Sequence, residues 1–217
     1  MSGTTARGSR AAATREAILA AAERLYAEHG VGAVSGRQIS EAAGQGNNTA
    51  VGYHFGTKTD LVRAIVDRHL ASVEVLRAAR LDTVADSGDL RDWVGCFVFP
   101  TFDHLGSLGE PTWFARFTAQ VLTDPSLRSM LEEQAMESPG LQRIQAGLDR
   151  CLADLPKAAR TERDDMVRQL MVLVPAVREA TLASGRPTAR ETWHDAGVGL
   201  VDAIVGLYRA EVTEPGG

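Results

Sequence analysis

Asn47, Asn48 and Thr49, followed by Gly52, Tyr53, His54 and Lys58, crowd into twelve positions of a 217-residue chain. Their chemistry is recognition rather than bond making. An Asn carboxamide can pair bidentately with adenine, and the Thr methyl can touch the methyl of thymine. Gly52 adds a small position on the same surface. Tyr53, His54 and Lys58 can reach phosphate oxygens, contacts that fix position and carry little base information. Ser35, Arg37 and Gln38, a few residues upstream, are expected at the same DNA surface. Phe55 is the expected apolar anchor beneath it.

Catalytic patterns are missing from the sequence. It has no phosphate-binding GxxxxGK[ST] loop, no GxGxxG after a strand, no HExxH and no CxxC. The five histidines (29, 54, 69, 104 and 194) are scattered. No Ser, Cys or carboxylate pair is spaced for a triad or an acid–base couple. Neither an enzyme nor a metal or cofactor site is expected.

Recognition residues need elements to present them. Ser35 followed by Gln38 has capping-box spacing, so a short helix starts there, with Ile39, Ala42 and Ala43 on one face. Gly44 is a natural stop. Gln45 to Asn48 reads as a turn ending in an N-cap, which predicts a second short helix over about 48–54. Phe55-Gly56 ends it. Thr57 and Asp60 form another capping box, so a third helix begins there. Two short helices across a glycine-containing turn have the form of a helix-turn-helix, whose second helix enters the major groove. Upstream, Thr14 to His29 predicts an amphipathic helix with Ile18, Ala22, Leu25 and Tyr26 inward, stopped by Gly30. Residues 1–13 read as a flexible arm whose Arg7 and Arg10 could add phosphate or minor-groove contacts.

The run from Gly44 to Leu61, with Ala50-Val51, Tyr53-His54-Phe55, Lys58 and Leu61, resembles the TetR family of one-component transcriptional regulators. Gly30, Val34-Ser35 and the Ile39 to Gly44 segment match as well, so the resemblance spans residues 14–70. One departure is a turn one residue longer than the family pattern. The resemblance implies an all-α homodimer with a DNA-reading head and an effector cavity in the body.

Bulk properties agree with a globular regulator. Hydrophobic residues make up 44% and charged residues 24% of the chain, ordinary values for a folded domain. A net charge of −5 argues against indiscriminate nucleic-acid binding. The charge is uneven: residues 1–70 hold 8 basic and 6 acidic side chains, and the remainder 15 and 22. Cys96 and Cys151 lack metal-ligand spacing and suit free thiols. No apolar run approaches the roughly 18 residues of a membrane span, and no apolar leader opens the chain. A cytoplasmic protein is expected.

Beyond residue 56 the pattern is helical throughout. A long helix from Thr57 to about Leu81 would join head and body. Leu90 to about Leu105 and Thr112 to about Thr123 are rich in aromatics, with Pro100 expected to kink or split the former. Trp93, Phe97, Phe102, Trp113 and Phe117, with His104 and Gln120 as polar contacts, suit either a hydrophobic core or an apolar ligand pocket. Asp124-Pro125 and Ser138-Pro139 start helices near 125–136 and 139–153. Capping-box spacings at Thr161/Asp164 and Thr188/Glu191 predict two last helices, the first kinked at Pro175. Their apolar stripes, Met166, Leu170, Leu173 and Val177 with Trp193, Leu200, Ile204 and Leu207, suit an intrachain bundle or, as favoured here, a homodimer interface.

The expectation is therefore an all-α protein with an arm (1–13), a helix-turn-helix DNA-binding domain (14–56) and a ligand-binding and dimerisation domain (57–217). Its expected role is a ligand-responsive repressor that binds a pseudo-palindromic double-stranded operator as a homodimer and answers a small, largely apolar effector. The alternative is a helical small-molecule-binding protein or enzyme without DNA recognition.

Overall fold

The computed structural model describes residues 3–213 except Asn48, with side chains from Ser9 onward. Among the described residues it holds ten α-helices and no strand. They are α1 (Gly3–His29), α2 (Gly36–Ala42), α3 (Ala50–Phe55), α4 (Lys58–Val84), α5 (Leu90–Ser107), α6 (Phe114–Val121), α7 (Pro125–Glu137), α8 (Pro139–Cys151), α9 (Lys157–Ala183) and α10 (Trp193–Arg209). Among the described residues no helix is long and apolar enough to cross a membrane. The chain divides into two compact units, one of Met1–Leu70 with Trp113–Arg128 and one of Ala71–Thr112 with Ser129–Gly217.

The first unit is built around α1. Ile18, Leu19, Ala22 and Tyr26 are buried on its inner face, as their helical spacing requires. The same unit buries Ile39, Val51, Phe55, Leu61, Val62 and Ile65, and α1 packs on α6, whose Phe114, Phe117 and Val121 are buried too. Tyr26 stacks near Phe117 at 6.2 Å, and the buried His69 stacks on Phe114 at 3.8 Å. Burial pushes the Tyr26 phenol up to about 12. Glu23 is buried too. Its carboxylate is held by Arg68 and by His69 Nε2 at 3.0 Å, the opposite charge that a buried carboxylate needs.

In the second unit α5 packs on α8 and α10. Close approach depends on small residues. A Cβ at Gly147 of α8 would stand 2.1 Å from the Trp93 ring, and one at Gly197 of α10 would stand 3.3 Å from Phe99 and Phe102. Trp93, Phe102, Leu105, Leu200, Val201 and Ile204 form the buried centre. Arg163 of α9 ties down the end of α10 by donating to the Tyr208 and Glu211 carbonyls.

The sequence places most helix ends within two residues, and the departures have local causes. Helix α1 begins at Gly3 rather than Thr14, so the run read as an arm has helical backbone. Ala11 to Ala13 and the neighbouring arginines are strong helix formers, and no proline interrupts them. Helix α5 continues through Pro100 and α9 through Pro175, each losing one backbone bond without a break. Helix α9 starts at Lys157, directly after Pro156, and not at Thr161. The Thr161 hydroxyl instead donates back to the Lys157 carbonyl at 3.1 Å, and Asp164 binds Arg160. A Thr within a helix has this alternative to capping. Likewise α10 is capped by Thr192, which accepts from the Asp195 amide, while Thr188 donates to the Arg190 carbonyl.

Candidate nucleic-acid interface

The site begins with three helix ends in succession. Ser35 caps α2 in the expected box: its amide donates to Gln38 Oε1 at 2.9 Å and its hydroxyl accepts from the Gln38 amide. Both side chains are therefore engaged at the helix start, and both residues remain near the surface. Arg37 is exposed and donates through Nε to Glu41 Oε1 at 2.8 Å. Gly44, with φ +68, turns the chain out of α2 in the left-handed region that glycine adopts without strain. The Gln45 amide then bonds the Ser40 carbonyl.

Asn47 organises the entry to α3. Its Oδ1 accepts from the Thr49 amide at 3.0 Å and from the Thr49 hydroxyl at 2.7 Å, while its carbonyl accepts from the Ala50 amide. This is Asx-turn chemistry. It occupies the oxygen that a bidentate adenine contact would use. Asn48 lies outside the described residues. Helix α3 starts at Ala50 and ends at Phe55, slightly later than the expected 48–54.

Alternate burial across this one and a half turn helix decides what it presents. Ala50, Val51 and Phe55 are buried, and the Arg15 guanidinium lies over the Phe55 ring at 4.4 Å. Gly52 is exposed, and Tyr53 keeps 85% of its surface open. His54 is half-buried, in edge contact with Tyr53 at 5.1 Å.

Lys58 takes a part that its sequence position does not signal. Its Nζ donates to the Val31 carbonyl at 2.8 Å and the Val34 carbonyl at 3.0 Å. Two of the three ammonium donors thus tie α4 to the loop before α2. Thr57 and Asp60 close their capping box, with the Thr57 hydroxyl donating to Asp60 at 2.6 Å and accepting from the Asp60 amide. The Thr57 hydroxyl, aided by the Thr57 amide, holds the Asp60 carboxyl below its ordinary range.

The residues expected to line a ligand pocket fall in different units. Trp113, Phe117 and Gln120 belong to the first, where Phe117 is buried beside Tyr26 and Gln120 Oε1 crowds Gly30. Trp93, Phe97, Phe102 and His104 belong to the second. Trp93 donates its indole N–H to the Ser87 carbonyl, and Phe102 packs against Trp193 with ring centroids 6.0 Å apart. His104 is buried and Phe97 half-buried. A cavity of about 260 Å³ in the second unit has other walls: Glu110, Pro111, Thr112, Glu179, Leu182, Ala183 and Trp193.

The expected interface stripe also divides. On α9, Met166, Leu173 and Val177 are exposed, the last two by 54% and 63%, and Leu170 is half-buried. On α10, Trp193, Leu200 and Ile204 point into the chain's own core and Leu207 is half-buried. Those three α10 residues are corrected to intrachain packing. Exposed on the helix are His194, Asp202 and Arg209 and the small residues Ala203 and Gly206, with Ala196 and Gly199 half-buried. Among the described residues no cluster of three His, Cys, Asp or Glu could hold a metal. Cys96 and Cys151 are free thiols, both held above the ordinary range by burial.

Comparison with known proteins places the head. Residues 18–65 match the family model of bacterial regulatory proteins of the TetR family. No curated protein matches. Solved structures similar to the chain include a TetR-family transcriptional regulator of Mesorhizobium loti, at 15% identity and TM-score 0.49, with 91% of this chain and 98% of that one covered. Two structures of NalD, the secondary repressor of the MexAB-OprM multidrug efflux pump in Pseudomonas aeruginosa, are similar at 24% and 22% identity. Their TM-scores are 0.30 and 0.27. The first pairs 91% of this chain with 84% of NalD, the second 90% with 81%. Residues 18–65, which hold α2, α3 and the ends of α1 and α4 that flank them, thus match the helix-turn-helix domain of TetR-family bacterial regulatory proteins.

Proposed function

We propose that this chain is a ligand-responsive repressor that binds a pseudo-palindromic operator as a homodimer. The observation that carries the reading is the open face of α3, where Gly52 and Tyr53 stand exposed above a buried Val51 and Phe55. Thr49 and the Asn47 amide group supply hydrogen bonding at the N-terminal end of that face. Tyr53, His54 and the remaining donor of Lys58 supply phosphate contacts. Ser35, Arg37 and Gln38 flank them from the start of α2.

Two copies would pair through the α9 stripe of Met166, Leu170, Leu173 and Val177. The small residues of α10 let a partner helix come close. Pairing sets two α3 helices about one DNA turn apart. An effector bound in the body releases DNA only if it prefers the conformation unfit for the operator, and the coupling is then reciprocal. Selection of bound fragments from a genomic library tests the reading. Recovered fragments sharing an inverted repeat support it, and fragments without a common sequence at moderate salt overturn it.

A further inference from the structure

Several cations of the first unit are already engaged. Arg37 is paired with Glu41, Arg63 stands 3.6 Å from Asp60, Arg68 is shared by Glu16 and Glu23, and Lys58 spends two donors on carbonyls. Arg15 of α1 is different. It is exposed, and among the described residues its guanidinium has no hydrogen bond or ion pair. It is held all the same, because it lies 4.4 Å from the centre of the Phe55 ring, a distance at which the π face attracts a cation. Phe55 is buried at the end of α3, so the ring that seats Arg15 is itself fixed.

A guanidinium stacked on a ring keeps its edge of N–H donors open. That edge fits two oxygens of one phosphate, and a side chain already seated loses less entropy on binding. Position favours phosphate over bases. Phe55 lies two residues beyond the exposed Tyr53, about 3 Å along the helix axis. It is at the end of α3 opposite the one that reads base edges in a helix-turn-helix. We propose that Arg15 is a DNA-phosphate contact, a cation of α1 that Phe55 seats at the C-terminal end of α3. The contact presupposes the reading of α3 as the DNA-contacting helix, and it adds to that site a residue outside the matched segment 18–65.

The test is fluorescence anisotropy of a labelled random-sequence duplex, titrated with the full chain between about 50 and 200 mM salt. A phosphate contact acts on every sequence, so this probe suffices. Arg15→Leu keeps apolar cover on Phe55 and removes the charge. It should lower the salt slope by about one for each chain bound, so that the parent's advantage shrinks about three- to fourfold per chain across that range. Arg15→Lys should restore the slope. Arg24→Leu is the matched control. It removes the same charge from an exposed position of α1, about two and a half turns on and so on the opposite side of the helix, and should keep the parent's slope. If Arg15→Leu does not fold, Arg15→Gln takes its place with the same expectation. An unchanged slope in Arg15→Leu, even with weaker binding, would make Arg15 a prop for α3 and overturn the proposal. An equal fall in Arg24→Leu, or a slope that stays low in Arg15→Lys, overturns it too. A parent that binds no duplex at the lowest salt sinks the repressor reading together with this contact. A parent that binds with a slope indifferent to Arg15 sinks the contact alone.

Discussion

Two residues of the proposed DNA-facing surface do different work, and substitution should separate them. Tyr53 touches little of its own chain, so Tyr53→Ala should leave stability within about 0.5 kcal/mol and weaken binding to all DNA sequences. Lys58 is also a tie between α4 and the Val31 and Val34 carbonyls. Lys58→Ala should therefore cost about 1–3 kcal/mol of stability and also reduce the salt slope of DNA binding by about one. Urea unfolding and binding titrations at several salt concentrations check both, and an unchanged stability in Lys58→Ala would contradict the tie. Asn47 belongs with Lys58. Its carboxamide oxygen holds the Thr49 amide and hydroxyl, so Asn47→Ala should lose about 1 kcal/mol as a cap-type change. A stability equal to the parent would return Asn47 to the list of dedicated base readers.

At the scale of the helix, local chemistry was legible where it is self-contained. The Ser35/Gln38 and Thr57/Asp60 boxes form as their spacing predicts. Prolines 125 and 139 sit at helix starts. The same spacing misled at Thr161 and Thr188, because a box needs the chain to enter the helix there. Arg160 and Tyr208 take Asp164 after the Pro156 break, and Thr188 donates to the Arg190 carbonyl while Thr192 caps α10. Partner choice between helices was not legible. Nothing in the spacing of Phe117 or Gln120 says that α6 packs with α1, and nothing in the α10 stripe says that Trp193, Leu200 and Ile204 stay in their own core.

Two predictions belong to this scale. Asp60 and Asp195 are held below the ordinary carboxylate value of 3.8 by the Thr57 and Thr192 hydroxyls first. A depressed folded value means that the contribution is complete above the unfolded value and is lost as pH falls through the folded one. The denaturation-midpoint gap between the parent and Thr57→Val should be constant above about pH 5 and should shrink below about pH 4. A gap that widens in acid would contradict the assignment. Gly147→Ala should cost about 1–3 kcal/mol or more, because the added carbon would stand 2.1 Å from the Trp93 ring. A neutral result in thermal unfolding would contradict the close packing of α5 on α8.

For the whole molecule, the account depends on two copies acting together. Leu173 and Val177 are open to solvent in the single chain, so Leu173→Glu with Val177→Glu should leave the helix content intact. It should shift sedimentation from dimer to monomer and abolish operator binding. A dimer that persists would move the interface away from α9. Hydroxyl-radical footprinting of the full chain on its selected operator tests the central claim most directly. The account predicts two protected half-sites related by a dyad, their centres about 10 base pairs or a multiple apart, both lost together in the α9 variant. A single protected half-site bound by one chain, or protection that ignores sequence, would contradict it.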